Sequence, residues 1–236
     1  MNKYIPIRTQ DGSFTLFSTK YDEHYHSVKS GAFSETLFKH VMPAIDHVLE
    51  KNPDVIKILD ICFGLGYNTI TTLYYLDKKK YMGDVEIYSL ELDEELIHSL
   101  NLMPYPQELL AYLPIISKIS KDYHFNNEFL NITVLIADAF EAVKDSSKKF
   151  DIIYQDAFSR KNNPELWSEE YFGYLYNLLN DNGIMTTYTQ SKGIRKILKK
   201  CGFNVYQHYF EQPSLIRAGT LAVKNGKLPL SEIGLD

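Results

Sequence analysis

The chain has 236 residues, of which 44% are hydrophobic and 23% are charged, and its formal net charge is −5 at pH 7. A chain of this length and composition can bury a substantial core, which excludes a wholly disordered protein. The acidic balance argues against a protein that coats nucleic acid nonspecifically, because such binding depends on lysine and arginine side chains that neutralise phosphates, but it leaves specific tRNA recognition open.

The sequence carries no targeting, membrane or metal-binding signal. Residues 1–10 are polar and interrupted by Pro6, and no apolar run approaches membrane-spanning length, so we expect a cytoplasmic protein with no membrane partner. The only cysteines, Cys62 and Cys201, are far apart and form no paired ligand pattern. We therefore expect neither a disulfide framework nor a metal site. The sequence makes no prediction of oligomeric state.

The first part of the chain, residues 1–52, is predicted to be a small extension that packs on the core. Apolar and polar residues alternate over residues 4–19 around Asp11 and Gly12, a pair that favours a tight β-hairpin turn. Residues 32–51 then place apolar side chains at helical spacing. Pro43 lies within this stretch and is expected to kink the helix or to mark a boundary.

Residues 53–236 alternate short apolar runs with helical segments. The predicted strands cover residues 55–61, 85–92, 132–137, 150–156, 183–189, 204–209 and 219–223. Strands separated by helices pair in parallel through right-handed crossovers, whereas the last two strands have too short a connection for a crossover and are expected to pair antiparallel. Residues 104–125 are predicted to be a helical insertion. The expected fold is therefore α/β, with a Rossmann-like mixed sheet of seven strands.

The first core strand leads directly into a loop that contains two glycines, Asp60-Ile61-Cys62-Phe63-Gly64-Leu65-Gly66-Tyr67-Asn68. Glycines let the backbone bend sharply and approach a ligand, and the start of the next helix offers free N–H groups. This pattern favours a nucleotide-type ligand, although a purely structural turn from strand to helix would also favour glycine. A nicotinamide dehydrogenase ranks lower, because its fingerprint has a third glycine that this loop lacks.

The next two strands each end in an acidic residue. Glu91 is expected to accept the hydrogens of two ribose hydroxyls, and Asp93 is expected to cap the following helix. The Asp138 side chain could accept from an adenine amino group, while the backbone N–H of Ala139 donates to a ring nitrogen. Helix capping is the alternative for Glu91 and for Asp138. Successive strand ends of a parallel sheet lie at one edge, which favours a shared binding cleft.

The fourth strand ends at Asp156, where a ligand that lies across the preceding strand ends would present its reactive part. Asp156 supplies a charge and Phe158 an aromatic face, and Pro164 and Trp167 are expected to stiffen the loop that follows. The alternative is an aspartate that caps a helix, with aromatic side chains that are simply buried.

Taken together, these segments resemble the methyltransferase domain of the MnmC family of tRNA wobble-uridine modification enzymes, in its stand-alone form. Besides the loop at residues 60–68, Glu91 and Asp138-Ala139, the resemblance rests on Glu23-His24-Tyr25-His26-Ser27, Gly31-Ala32, Glu35, Asp156-Ala157-Phe158-Ser159, Asn163-Pro164-Glu165-Leu166-Trp167, Thr187-Tyr188-Thr189 and Arg217. Two positions depart from the family pattern. Cys62 stands where glycine is usual, and Arg160 stands where a proline commonly follows Ser159. The chain ends at Asp236, so we expect no flavin oxidase domain of the kind found in bifunctional relatives.

The resemblance implies a class I fold and methyl transfer from S-adenosylmethionine to the primary amine of 5-aminomethyl(-2-thio)uridine at the tRNA wobble position. The implied cofactor-binding residues are Asp60, Cys62, Gly64, Gly66, Asn68, Glu91, Asp138, Ala139 and Glu35, and the implied substrate residues are His26, Phe158, Asn163, Pro164, Trp167 and Arg217. Asp156 is the predicted catalytic residue. It is expected to orient the amine N–H while the proton leaves to water, and Phe158 and Trp167 are expected to sandwich the flipped-out base.

Two other functions remain open at this stage. An aminopropyltransferase that resembles spermidine synthase would use the same sheet and an aspartate after the fourth strand, but Arg160, Lys161 and Asn163 suit RNA better than a polycation. The second is a catalytically silent adenosine-binding module. For His24, Tyr25, His26 and Glu35, a hydrogen-bonded turn before the first helix is the alternative to a place beside the cofactor or substrate.

Overall fold

The computed structural model describes residues 5–207 and 219–234. The chain begins with strands β1 (Pro6–Arg8) and β2 (Phe14–Ser18), which pair antiparallel, and β3 (Glu23–His24) pairs with β2 to complete a three-stranded sheet. The side chain of Asp11 organises the turn between β1 and β2, because its Oδ1 accepts from Thr9 Oγ1 at 2.7 Å and from the Ser13 N–H at 3.0 Å. The predicted hairpin is thereby confirmed.

The predicted first helix is divided into three parts. Helix α1 (Ala32–Thr36) continues as a π-helical segment (Leu37–Val41) and then as α2 (Met42–Leu49). Pro43 has no N–H to donate to the carbonyl of Lys39 four residues earlier. The backbone widens instead, and the Met42 N–H donates to Leu37 O, five residues back. As predicted, Pro43 marks a boundary, and the wider turn is of a kind that is frequent at functional sites.

The central sheet has eight strands in the described part of the chain. They are β4 (Val55–Ile61), β5 (Asp84–Glu91), β6 (His124–Asn126), β7 (Leu130–Ile136), β8 (Phe150–Gln155), β9 (Leu179–Thr187), β10 (Asn204–Gln207) and β11 (Thr220–Val223). Their order is β10-β11-β9-β8-β4-β5-β7-β6. The five central strands are parallel, and β10 and β11 pair antiparallel as predicted. The strand beyond the seven predicted is β6, a short antiparallel edge strand at the end of the insertion.

Helices cover both faces of this sheet. They are α3 (Tyr67–Lys79), α4 (Glu94–Ser99), α5 (Leu113–Asp122), α6 (Ala139–Lys144), α7 (Glu169–Leu178) and α8 (Lys192–Lys200), with 3-10 turns at Leu100–Leu102, Gln107–Tyr112 and Pro164–Trp167. Side chains of β4 divide between two buried apolar clusters, with Ile58 in one and Leu59 in the other. Val41 and Ile45, from the segment before β4, belong to the same cluster as Ile58. Within residues 5–207 and 219–234, no helix is both long and apolar enough to cross a membrane.

The glycines at positions 31 and 173 provide a matched test of this backbone. Gly31 precedes α1 with φ +88, and a Cβ on it would lie 2.0 Å from Asp11 Cγ, whereas a Cβ on Gly173 inside α7 meets nothing within 4 Å. We expect Gly31→Ala to lower the free energy of unfolding by roughly 2–4 kcal/mol, because both the backbone angle and the space require glycine. Gly173→Ala should raise it by about 0.5–1 kcal/mol. Urea denaturation measures both, and equal stability of the two variants would contradict the described packing.

Candidate active site

A cavity of about 710 Å³ opens at the carboxyl edge of the parallel strands. Because β8, β4, β5 and β7 are neighbours in that order, the residues that follow them meet there. Glu91 at the end of β5, Asp138 after β7 and Asp156 after β8 all line the cavity. The loop after β4 lies between them. The structure therefore brings together the four strand ends that the sequence analysis had placed at one edge.

The glycine-containing loop adopts left-handed backbone angles at three positions. Cys62 has φ +65, Gly64 has φ +55 and Gly66 has φ +73. Cys62 thus holds a conformation that favours glycine, the residue that the resemblance leads us to expect there. Burial, followed by the charges of nearby carboxylates, raises the pKa of the Cys62 thiol well above its ordinary value. The thiol is therefore neutral and serves as a wall of the cavity.

Glu91 and Asp138 both make backbone hydrogen bonds at the cavity wall. The Glu91 carboxylate accepts from the N–H groups of Gly64 at 2.8 Å, Leu92 at 2.8 Å and Asp93 at 2.9 Å. Burial raises the pKa of Glu91, and these hydrogen bonds oppose the rise. Asp93 caps α4 as predicted. Asp138 caps α6, because its side chain accepts from two N–H groups of that helix. Asp138 also lines the cavity, and its contact with adenine stays a prediction.

One side-chain amide connects the loop to the fourth strand. Asn68 Nδ2 donates to Asp60 Oδ1 at 3.0 Å and to Asp156 Oδ2 at 3.1 Å. Asp60 is fully buried and also accepts from Thr69 Oγ1 and Ser89 Oγ. Burial raises the pKa of Asp60 to about 7, although these hydrogen bonds lower it. Asp60 therefore supports the loop from below and does not line the cavity, which corrects its predicted role as a direct cofactor ligand.

Asp156 is largely buried, with a side chain that is 16% exposed. Its Oδ1 lies 3.5 Å from His40 Nε2. Burial, and next the negative charge of Glu35, raise the pKa of Asp156 well above its ordinary value. Since a carboxyl group with a raised pKa is a stronger proton acceptor than an ordinary aspartate, this environment suits Asp156 to receive a proton from an amine.

Residues that precede the central sheet form one wall of the cavity. Glu35 accepts from the Ser27 N–H at 2.9 Å and forms an ion pair with the buried Lys39. The ring of His26 packs edge-on against Tyr67 with centroids 5.1 Å apart. Burial lowers the pKa of His26 to about 4, so this ring is neutral near pH 7. His26 and Glu35 both line the cavity, as the predicted ligand roles require.

The loop after β8 is attached to the extension. The Glu23 carboxylate accepts from the Ser159 N–H, from Ser159 Oγ at 2.8 Å and from Asn162 Nδ2 at 2.7 Å. The ring of Phe158 lies 4.7 Å from that of Tyr21 and 5.0 Å from that of Tyr25. Phe158 and Asn163 line the cavity. The two chain segments therefore form a single aromatic wall of the cavity.

The structure corrects several other predicted roles. Trp167 is only 1% exposed, and its indole N–H donates to Phe158 O at 2.7 Å, so it braces the loop from inside and cannot stack on a base with Phe158. Gly66 does not line the cavity, because it packs against Ile116 and Phe63 at the start of α3. Pro164 is exposed at the start of a 3-10 turn, where it also contributes no cavity wall. Arg217 lies outside the described residues.

The charge of the cavity fits a cationic ligand. Nine of the side chains that line it are carboxylic acids, whereas Lys20 is the single lysine or arginine among the described lining residues. Asn68 Oδ1 and His26 Nδ1 are buried and make no hydrogen bond to any described residue. The described residues include no cluster of histidine, cysteine and acidic side chains that could hold a metal ion. Carboxylates and polar atoms without partners suit a sulfonium compound that also carries hydroxyl and amino groups.

Sequence analysis missed Lys20 and Tyr21, which line the cavity, and Lys39, His40 and Thr186, which lie behind its wall. Lys39 and His40 are polar residues in an otherwise apolar stretch before Pro43, and both are buried. A lysine and a histidine adjacent to each other in such a stretch are a usable signal. Thr186 lies within a buried strand and offers no comparable signal in the sequence.

Comparison with known proteins agrees with this geometry. A family model described as S-adenosyl-L-methionine-dependent methyltransferase matches residues 101–220. The crystal structure of MnmC2 from Aquifex aeolicus superposes with a TM-score of 0.85 at 31% identity, over 97% of this chain and 73% of that one. An uncharacterized protein of Methanocaldococcus jannaschii is 31% identical over 94% of this chain. The bifunctional MnmC protein of Paraburkholderia xenovorans, named for tRNA 5-methylaminomethyl-2-thiouridine biosynthesis, is 25% identical over 80% of this chain.

The chain spans 60% of the archaeal relative and 30% of the bifunctional protein. The comparisons and the observed sheet confirm the predicted Rossmann-like class I fold, S-adenosylmethionine as the cofactor and the resemblance to the MnmC methyltransferase domain. The chain therefore belongs to the S-adenosyl-L-methionine-dependent methyltransferase family and is an MnmC-like methyltransferase domain.

Proposed function

We propose that this chain methylates the primary amine of 5-aminomethyl(-2-thio)uridine at the wobble position of tRNA, in the cytoplasm. The observation that carries the proposal is Asp156, a largely buried carboxyl group at the fourth strand end whose pKa is raised by its surroundings. A relative named for biosynthesis of the methylated base supports the choice of substrate. Because that relative is bifunctional and this chain spans 30% of it, the tRNA substrate is part of the proposal.

Three strand ends would hold the cofactor. The Glu91 carboxylate keeps acceptor capacity toward the cavity and would bind the ribose hydroxyls. Asp138 and the backbone N–H of Ala139 would contact the adenine, and Glu35 would face the methionine portion. When bound, S-adenosylmethionine supplies an electrophilic methyl group on a sulfonium ion. The main contribution of the protein is to hold the amine in line behind that methyl carbon.

Asp156 acts on the amine. An alkylamine is mostly protonated near pH 7, yet only its neutral form has the lone pair that attacks. Asp156 accepts a hydrogen bond from the bound ammonium and takes its proton. The raised pKa of Asp156 brings the proton affinity of its carboxylate closer to that of the substrate amine. This extends the sequence-based expectation, in which Asp156 only orients the amine and the proton leaves directly to water.

The aromatic wall would receive the base. Phe158 is supported on one side by Tyr21 and Tyr25, and unpaired RNA bases are commonly bound by stacking on such rings. Lys20 stands at the rim of the cavity, and Arg160 and Lys161 are exposed on the adjacent loop. These cations would contact the phosphates on either side of the flipped-out nucleotide.

An aminopropyltransferase is the second candidate, because the carboxylate-rich cavity also suits a polyamine. The two functions differ in both substrates. We expect purified protein to transfer label from S-adenosylmethionine to tRNA isolated from cells that lack the final methylation, and nucleoside analysis should locate the label on the 5-methylaminomethyl base. A parallel reaction contains putrescine and decarboxylated S-adenosylmethionine that is labelled in its aminopropyl group. Labelled spermidine in that reaction, with unlabelled tRNA in the first, would replace our proposal with the second candidate.

Asp156→Asn tests the proposed proton acceptor. The amide keeps the shape of the carboxyl group but cannot take up a proton. We expect the rate of methyl transfer to fall by about 100-fold or more, in the range typical for loss of general base catalysis. The dissociation constant of S-adenosylmethionine, measured by isothermal titration calorimetry, should change by less than about threefold. Full activity in this variant would remove Asp156 from the mechanism.

Glu91→Gln tests the proposed ribose contact. An amide nitrogen in place of one carboxylate oxygen removes an acceptor that a ribose hydroxyl needs, and it also faces a backbone N–H group that the carboxylate binds. We expect S-adenosylmethionine to bind about 10-fold more weakly, as measured by calorimetry, which corresponds to about 1.4 kcal/mol. Glu94→Gln is the matched control, because Glu94 also borders the cavity but is exposed at the start of α4. An equal loss in both variants would indicate a general effect of charge and not a ribose contact at Glu91.

A further inference from the structure

His40 lies directly behind Asp156 and has no role in the function proposed so far. It belongs to the π-helical segment that precedes α2, and its side chain is 1% exposed. One ring nitrogen, Nδ1, lies 3.0 Å from Thr186 Oγ1 on β9. The other, Nε2, lies 3.5 Å from Asp156 Oδ1 and makes no hydrogen bond to a described residue. The ring thus joins a buried hydroxyl to the reactive carboxyl group.

The surroundings of Thr186 determine which ring nitrogen of His40 carries the hydrogen. Thr186 is fully buried, and its hydroxyl has no hydrogen-bond partner other than His40 Nδ1 among the described residues. If Nδ1 donated, the hydroxyl hydrogen would be left buried without an acceptor, which is costly. Donation from Thr186 to Nδ1 avoids this cost. With that assignment the ring hydrogen resides on Nε2, which lies 3.5 Å from Asp156 Oδ1.

We propose that His40 is a positioning residue that donates from Nε2 to the ionised carboxylate of Asp156 and holds it for the amine. This inference rests on the proposed function of Asp156. Asn68 already donates to Oδ2 at 3.1 Å, so His40 supplies the corresponding hydrogen bond to Oδ1. The two atoms lie 3.5 Å apart, so the separation must shorten by about 0.5 Å for this hydrogen bond to form. With one neutral donor on each oxygen, the carboxylate keeps its remaining lone pairs directed into the cavity.

The proton balance of this arrangement is simple. An N–H bond of the substrate ammonium breaks and an O–H bond forms on Asp156, so that the nitrogen keeps the electron pair that attacks the methyl group. His40 keeps its own hydrogen throughout. The proton on Asp156 then leaves to water in the open cavity. His40 therefore acts through Asp156 and does not touch the reacting atoms.

Charged and titratable groups approach this pair from several elements. Those near His40 are Lys39, His26 and Tyr154, and those near Asp156 are Glu35, Asp60, Lys39, Cys62 and Tyr188. Burial, and next the positive charge of Lys39, lower the pKa of His40 to about 3. His40 is therefore neutral between pH 5 and 9, roughly the range for enzyme assays. A pH dependence that changes when His40 is replaced then does not arise from His40 itself, and the NMR signals of the individual aspartates distinguish Asp156 from Asp60, whose pKa is also raised.

The test is the titration of Asp156 itself, followed by carbon-13 NMR in protein with labelled aspartate carboxyl groups. The Asp156 signal is identified by its absence in Asp156→Asn. We expect His40→Phe to raise the pKa of Asp156 by about one unit, because the carboxylate loses a donor. His40→Gln keeps a donor at a similar distance and should stay within about 0.3 unit of the wild type. An unchanged Asp156 titration in His40→Phe would overturn the inference.

Methyl-transfer kinetics provide the second readout. The acidic limb of the pH profile of kcat/KM should move upward in His40→Phe by the same amount as the NMR titration, while S-adenosylmethionine affinity stays within about threefold. The NMR measurement needs no tRNA. If tRNA is not methylated by the wild type but the Asp156 titration still shifts, the proposed function fails and the link between His40 and Asp156 stands.

Thr186→Val keeps the test valid if His40→Phe does not fold. This variant preserves the shape of the side chain and leaves the imidazole in place, but it removes the hydroxyl that fixes the hydrogen on Nε2. We expect a smaller change in the same direction, about half a unit in the pKa of Asp156. A folded Thr186→Val protein with the wild-type titration would contradict the assigned tautomer and, with it, the inference.

Discussion

The candidate active site depends on one buried amide that lies between two carboxyl groups. The side-chain amide of Asn68 donates to two carboxylates, that of Asp60 beneath the loop and that of Asp156 at the cavity. Asp60 also accepts from Ser89 on the neighbouring strand β5. The ends of β4, β5 and β8 and the start of α3 are thereby joined through one polar cluster. Displacing any member would leave a buried polar group unsatisfied, so the cluster keeps the strand ends in one arrangement.

The same cluster explains why the pKa values of Asp60 and Asp156 are raised. Carboxyl groups that share a poorly solvated region cannot all be ionised without mutual repulsion. Burial is the main cause of the raised pKa of both Asp60 and Asp156, and neighbouring acids add to it. A cation in the cavity reverses this balance, because it favours the ionised form. Binding of a sulfonium compound and an ammonium group would thus help Asp156 to exist as the carboxylate that the proposed reaction needs.

The sequence predicted the sheet and the strand ends because these depend on local patterns. Apolar runs separated by helices predict parallel strands, and the residues after parallel strands lie at the same edge of the sheet. The strand β6 was not predicted, because three residues at a sheet edge are too short to show an alternation. The sequence also did not distinguish Phe158, which lines the cavity, from Trp167, which is buried behind it. That difference is set by the path of the loop and not by the residue types.

The features of the site that the sequence did not predict depend on contacts between distant parts of the chain. Glu23 binds Ser159 and Asn162, more than 130 positions later, and His40 meets Thr186, 146 positions later. The placement of Lys39 and His40 also depends on the π-helical turn before Pro43, since an ordinary helix would rotate these residues relative to α2. The segment before β4 is therefore more than a support for the fold. The sheet edge provides the acidic groups proposed to hold the cofactor, whereas the extension supplies much of the wall around Asp156, where the substrate amine would be recognised.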